Sequence, residues 1–382
     1  MTYPPLALGL LVLLHGYIGA RLVAALPPAG WAPAVAFVLL VFALVYSGLS
    51  HVFGPRPTQG WWAWIGLSAI GYFSSLLVLT LLRDLGLGVA WLGEVLGLGR
   101  ALDDRLRLAS AVAVPVLALA ASGLGLFIAR RVPPVRQVDV PIAGLPDELH
   151  GFTVVQISDL HVGPTIRRPF VTRVVQAVNR LQADVVAVTG DSVDGSVAEL
   201  AEHIAPLAQL QARCGVYAVT GNHEYYSGGH AWIAELNRLG LRVLMNEHVV
   251  IARGKARLLL AGVPDYTAHQ FDRSHRSDPA LALRGAPDDV DVKLLLAHQP
   301  RSAPAAARAG FHLQLSGHTH GGQFLPWKWF VPLQQPYTEG LKRHDGLWVY
   351  ISRGTGYWGP PKRLGAPSEI TQLRLVRAAA RS

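Results

Sequence analysis

Four long runs with almost no charge fill the first 129 residues, and few folds other than a membrane-spanning helical bundle tolerate that. Tyr3–Leu26 carries one Arg near its end, while Trp31–Phe53, Trp61–Leu82 and Leu108–Ala129 carry no charged residue at all. Each run is close to the ~20 residues needed to cross ~30 Å of hydrocarbon. In lipid the backbone must satisfy its own polar groups, so these runs should be helices. Trp31, Trp61, Trp62 and Trp64 stand at the starts of runs, where aromatic anchors belong. Pro27-Pro28, Pro55-Arg56-Pro57 and Gly60 separate the spans. A soluble helical core of this kind would have too few polar residues to cover its outside. Met1–Leu10 lacks Lys and Arg, so the first run does not read as a cleaved signal. Leu85–Gly99 is apolar but short, Gly-rich and interrupted by Glu94. It reads as an interfacial or re-entrant segment, or a fifth span, followed by a charged loop over Arg100–Arg107.

Charge is distributed accordingly. Residues 1–129 hold six Arg and four acids, which leaves 49 of the 59 charges and thirteen of the fifteen His for residues 130–382. The chain is therefore expected to comprise a transmembrane helical domain over 1–129, a linker over 130–149 and a globular domain over 150–378. The linker is Pro-rich (Pro133, Pro134, Pro141, Pro146), which favours extended backbone, with a short strand around Gln137–Ile142. Four spans put both termini on one side. Arg130-Arg131, directly after the last span, tips the otherwise even positive-inside count towards a cytoplasmic globular domain. The single Cys214 cannot form an internal disulfide.

From Gly151 the pattern becomes short β-branched runs ending in polar turns. Phe152–Ile157 ends in Ser158-Asp159-Leu160-His161. Asp184–Thr189 ends in Gly190-Asp191-Ser192-Val193-Asp194, and Val216–Thr220 in Gly221-Asn222-His223-Glu224. Val292–Ala297 ends in His298, and His312–Leu315 in Ser316-Gly317-His318-Thr319-His320. Helical patterns lie between the early runs, at Arg168–Leu181 and Val197–Ala212. Alternating strands and helices indicate an α/β unit with a largely parallel, buried sheet, and ligand residues gather at the C-terminal ends of such strands. Two Asp, one Asn and four His make a donor set suited to Mn²⁺, Fe or Zn²⁺ rather than Ca²⁺. Asp-x-His and His-x-His each put two side chains on one side of an extended turn. Gly190 and Gly221 let the backbone turn sharply. A single such piece also occurs in solvated loops. Five of them, in order, each at the end of an apolar run, define a site.

These blocks resemble those of the calcineurin-like metallophosphoesterase superfamily over roughly residues 150–376. The extensions Gly317-His318-Thr319-His320-Gly321-Gly322-Gln323, Ser352-Arg353-Gly354 and Pro367-Ser368-Glu369-Ile370 are similar to its membrane-associated branch. The resemblance implies a four-layer α/β/β/α sandwich and two divalent metal ions bridged by Asp191. One ion would take Asp159, His161, Asp191 and His320; the other would take Asp191, Asn222, His298 and His318. His223 would face the phosphate as general acid or charge stabiliser. Asp194 stands where purple acid phosphatases have a Tyr ligand, which disfavours an iron–tyrosinate centre. Gly195-Ser196 replaces the Arg-Gly of the Ser/Thr phosphatases. Asp194 or Glu224 would orient a ligand imidazole, Glu224 being equally readable as a solvated loop residue, and Arg353 would either reach a substrate phosphate or stand as a structural surface Arg.

The implied activity is hydrolysis of a phosphodiester, phosphomonoester or pyrophosphate bond in a lipid-like substrate. One related branch cleaves UDP-2,3-diacylglucosamine in lipid A synthesis. A non-catalytic scaffold or sensor with a vestigial domain is the alternative, and the intact donor set opposes it. The formal net charge of +9 is spread among acids, without a Lys/Arg run flanked by aromatics, so nucleic acid is disfavoured as a partner and the bilayer favoured. Trp327-Lys328-Trp329-Phe330-Val331-Pro332 is either a packed loop or an interfacial anchor.

Overall fold

The four long apolar runs become four long helices: α1 (Pro5–Val23), α2 (Trp31–Phe53), α3 (Trp61–Val95) and α4 (Asp104–Arg130), the last continuing through Pro115. All four are long and apolar enough to cross a membrane. The structure, a computed structural model, describes residues 5–53, 60–99 and 103–378. The separator Pro55-Arg56-Pro57, the Arg100 end of the expected charged loop and the last four residues of the chain lie outside the described residues. The chain divides into two units, Met1–Phe127 with Gly359–Lys362, and Ile128–Trp358 with Arg363–Ser382.

Within the first unit, α3 is 35 residues long, about 52 Å at helical rise. It runs unbroken through Leu85–Val95, so this stretch is the end of the third helix and not a separate segment. No Pro interrupts it. Asp84, the acid at the junction, is held by the Tyr17 hydroxyl at 2.6 Å and by Arg21 at 2.6 Å. Likewise Asp104–Arg107 is not loop but the first turn of α4, where Asp103 caps the helix by accepting from the Leu106 amide at 2.7 Å. Close packing of α2 on α3 depends on paired glycines. A Cβ on Gly48 would land on the Gly66 backbone, and one on Gly66 would land on Gly48. Small residues allow such backbone approach in helices without a hydrophobic driving force.

The second unit contains β1 (Val135–Ile142), β2 (Thr153–Ile157), α5 (Arg168–Asn179), β3 (Val185–Thr189), α6 (Val197–Ile204), β4 (Val216–Val219), α7 (Asn222–Tyr226), α8 (Gly229–Arg238) and β5 (Arg242–Val243). It continues with β6 (Glu247–Arg253), β7 (Ala256–Gly262), β8 (Val292–Leu296), α9 (Ala303–Arg308), β9 (Leu313–Ser316), β10 (Gly340–His344), β11 (Leu347–Ile351) and β12 (Ile370–Arg377). One sheet has the order β1-β12-β2-β3-β4-β5, the other β10-β11-β9-β8-β7-β6. Strands β2 to β5 are mutually parallel, as are β7, β8, β9 and β11. The expected linker is partly sheet: β1 pairs in parallel with β12 along its whole length, from Val135 opposite Ile370 to Ile142 opposite Arg377. Its edge position accommodates Pro141.

Three apolar layers fix the architecture. Val154, Val185, Leu258, Leu294 and Leu313 are buried between the two sheets. Val174, Val178, Leu200 and Trp232, from α5, α6 and α8, cover the outside of the first sheet. Ala303 and Ala306 from α9 cover the outside of the second. The result is a four-layer α/β/β/α sandwich, preceded by the four apolar helices. Parallel strands in both sheets deliver their C-terminal turns to one edge of the sandwich, where β2, β3, β4, β8 and β9 release the polar blocks.

Candidate metal centre

Five of the seven residues expected to hold metal lie in left-handed backbone or beside it. Asp159, His161, Asp191, His318 and His320 all have φ between 49° and 69°, a region that residues other than Gly seldom occupy. The turns are thus not extended, as the Asp-x-His and His-x-His spacings suggested. Left-handed steps fold each turn back so that both side chains converge. Strain of this kind persists only where the surroundings over-determine it, and it collects at functional sites. Two neighbouring glycines make room. Gly190 takes φ of 86°, whereas Gly221 has ordinary backbone but lies so close to Asp191 that a Cβ would collide with its carboxylate.

The donors meet in two groups. Asp159, His161 and His320 place one ligand atom each within 4.8 Å of one another, and so do Asp191, His298 and His318. His161 Nε2 lies 3.0 Å from His320 Nε2, which is itself 3.5 Å from Asp159 Oδ1. In the second group His298 Nε2 lies 3.1 Å from Asp191 Oδ2 and 3.3 Å from His318 Nδ1. Asp191 Oδ2 is also 3.9 Å from His161 Nε2, so this carboxylate stands between the groups. Asn222 begins α7 beside them, and its Oδ1 is buried without a hydrogen-bond partner. Buried polar atoms are nearly always paired. An unpaired amide oxygen and two close nitrogen–nitrogen approaches both fit a shared cation. Burial pushes His318 down to about 3, with the neighbouring His298 adding to the effect. Its imidazole is therefore neutral, the form that binds metal.

Other contacts orient these donors. His298 Nδ1 lies 2.7 Å from the Thr189 carbonyl, which aims Nε2 at Asp191. Asp194 Oδ1 accepts from His161 Nδ1 at 2.9 Å and from His223 Nδ1 at 2.6 Å, joining a ligand candidate to the acid candidate. Burial disfavours the charged form of His223, but the carboxylates of Asp191 and Asp194 outweigh it and raise the imidazole to about 9. Glu224 behaves differently from the imidazole-orienting or solvated role expected of it. It is fully buried and accepts from the backbone amides of Asp191 at 3.0 Å, Ser192 at 2.6 Å and Gly221 at 2.7 Å. Its carboxylate ties the β3 and β4 turns together. Arg353 donates Nε and Nη2 to Glu369 Oε2, each at 2.7 Å, so its guanidinium is anchored to a buried acid.

Arg363 was missed in the sequence, where it reads as one of many scattered basic residues. It is fully buried and donates Nη1 to the carbonyls of His320 and Arg353 at 2.8 Å, while Nη2 lies 3.0 Å from His320 Nδ1. The only signal is its position in a Gly/Pro-rich stretch just before the Pro367-Ser368-Glu369 block. Beside His223 stand two exposed aromatic rings, Tyr226 at 5.2 Å and Trp358 at 5.8 Å between centroids. Trp327, Trp329, Phe330 and Leu333 are exposed as well, so that stretch is not a packed loop.

A two-sheet sandwich whose strand ends bring Asp, Asn and His into two adjoining donor groups is the architecture of a metallophosphoesterase. The calcineurin-like phosphoesterase family profile matches residues 152–322. A Danio rerio transmembrane protein with metallophosphoesterase domain is 34% identical over 372 residues, covering 94% of this chain and 84% of that one. A Bos taurus protein of the same description is 41% identical over 285 residues, 72% of this chain and 64% of its own length. An uncharacterized metallophosphoesterase of Helicobacter pylori is 37% identical over 247 residues, 64% of each chain. The chain belongs to the calcineurin-like metallophosphoesterases, metal-dependent phosphoester hydrolases that bind a pair of divalent ions, and is similar to their transmembrane members.

Proposed function

We propose that this protein hydrolyses a phosphodiester, phosphomonoester or pyrophosphate bond in an amphipathic, lipid-linked substrate at a membrane surface. The observation that carries the reading is the convergence of Asp159, His161, Asp191, Asn222, His298, His318 and His320, with Asn222 Oδ1 buried and unpartnered. Asp159, His161, Asp191 and His320 would hold one divalent ion, and Asp191, Asn222, His298 and His318 the other. When bound, two such ions supply a water acidified towards neutral pH and positive charge for the phosphoryl oxygens.

The chain's own groups do the rest. Asp191 lies between the donor groups, and its other oxygen accepts from the His223 amide at 2.9 Å. His223 has Nδ1 committed to Asp194, which leaves Nε2 to give a proton to the leaving oxygen. Water oxygen joins phosphorus, the bond to the leaving oxygen breaks, and the proton from His223 neutralises that oxygen. Such acid catalysis contributes typically ~10²–10⁴-fold. The exposed Tyr226 and Trp358 rings offer an apolar shelf beside this proton. Trp327, Trp329, Phe330 and Leu333 form an exposed apolar group suited to acyl chains or a lipid surface. Arg130-Arg131 at the end of the last apolar helix favours a catalytic domain on the cytoplasmic side.

The test is Mn²⁺-, Fe²⁺- or Zn²⁺-stimulated cleavage of a generic aryl phosphodiester by the purified full-length chain, followed by a panel of phospholipids, isoprenoid diphosphates and nucleotide-linked lipids. Asp191→Asn is expected to abolish turnover. Wild-type activity in that variant, together with a protein that binds no metal, would refute the reading.

A further inference from the structure

Outside the strand-end donors, three residues that match no sequence block come together on another part of the domain. His230 is the second residue of α8, and Asp272 and His275 sit on the turn-rich connection between β7 and β8. Each contributes one ligand atom, and the three atoms lie within 4.8 Å of one another. The geometry points to a third cation site made of His230, Asp272 and His275, suited to Zn²⁺ with water completing its coordination.

The side chains are prepared for that task. Asp272 Oδ1 accepts from the Ser274 amide at 2.8 Å and the Ser274 hydroxyl at 2.6 Å, which leaves Oδ2 to bind. His275 Nδ1 lies 2.9 Å from the Tyr225 hydroxyl, which leaves Nε2. Groups that hold the far atom of a ligand in this way fix its orientation and raise its affinity. His230 Nε2 and Asp272 Oδ2 are 2.9 Å apart. Two donors ~2.1 Å from a tetrahedral ion stand about 3.4 Å apart, so a shift of about half an ångström accommodates Zn²⁺. The His230 side chain is 74% exposed, so an ion enters directly from solvent. Two imidazoles and one carboxylate, with one position left to water, match the ligand chemistry of zinc.

Filling the site would fasten the β7–β8 connection to α8. That connection carries Phe271, whose ring lies 5.6 Å from Tyr226, the ring that packs at 5.2 Å against His223. The ion would thus hold one side of the aromatic shelf in place, a consequence that rests on the proposed function, although the site itself does not.

Metal content decides the matter. Tag-free full-length protein is saturated with Zn²⁺, desalted, and assayed for zinc per chain by mass spectrometry. His230→Ala and Asp272→Asn should each bind one equivalent less than the wild type, with unchanged circular dichroism. Tyr225→Phe should bind the same equivalent ~10–100-fold more weakly. Asp191→Asn should lose zinc from the strand-end donors and keep this equivalent. Equal zinc content in the wild type, His230→Ala and Asp272→Asn would overturn the proposal. The readout is a difference of one equivalent between folded proteins, so it stands whether or not the strand-end donors prove catalytic.

Discussion

Asp194 carries more of the site than a residue outside the donor groups would suggest. One of its oxygens serves two imidazoles, His161 and His223, at 2.9 and 2.6 Å. It thereby sets which nitrogen of His161 faces the donor group and which nitrogen of His223 remains to give a proton. Asp194→Asn keeps the shape but cannot accept two such charge-assisted bonds on equal terms. Turnover and metal affinity are expected to fall ~10–100-fold, the usual cost of removing a partner of a ligand imidazole. Steady-state kinetics combined with metal titration checks this; an effect on kcat with no change in metal affinity would place the role of Asp194 on His223 alone. The sequence showed Asp194 as a member of the Gly190–Asp194 block, but not that it joins two others, because the contact spans the turns after β2, β3 and β4. Glu224 was equally visible in the sequence, but its role differs from the one expected. A carboxylate next to His223 looks like a helper of imidazole, yet its oxygens go to three amides that the sharp turns leave unpaired.

At the scale of elements, helices and strands are set largely by local pattern, and their junctions are not. Arg168–Asn179 forms from an amphipathic repeat whose Phe170, Val171, Val174, Val175 and Val178 are buried. The helical pattern read over Val197–Ala212 ends early, at Ile204, and Ala205–Gln209 continues as a 3₁₀ turn with Pro206 near its start. A proline lacks the amide that would continue the α-helical ladder. The continuity of α3 through Leu85–Val95 was hidden because Gly and Glu94 suggest an ending, whereas capture of Asp84 by Tyr17 and Arg21 depends on α1. The α2–α3 contact gives a direct prediction. Gly66→Leu forces side-chain atoms into the Gly48 backbone and should destabilise the helical unit by about 1–3 kcal/mol or more. The thermal unfolding midpoint in detergent is expected to drop, while that of Trp62→Ala, at an exposed position, stays at the wild-type value.

On the scale of the whole molecule, the phosphoesterase unit gathers imidazoles and carboxylates into two adjoining groups that fit shared cations. Ligands that bind the folded state alone stabilise it in proportion to their occupancy, by about 2.7 kcal/mol at a concentration 100 times Kd. Exhaustive chelation should therefore lower the unfolding midpoint and abolish phosphodiester cleavage together, and re-addition of Mn²⁺ or Zn²⁺ should restore both. A fall in activity without any change in the midpoint would mean that the ions contribute nothing to the stability of the fold.

The sequence by itself determined that four apolar helices precede an α/β domain, and that Asp159, His161, Asp191, Asn222, His298, His318 and His320 end its strands. Both follow from local physics: segment length against bilayer thickness, and β-branched runs closed by short polar turns. Tertiary structure alone decided that Val135–Ile142 joins the first sheet, that Arg363 supports His320, that Glu224 secures two turns, and that His230 meets Asp272 and His275. Each of these depends on burial or on contact between residues distant in the chain, which no local spacing encodes.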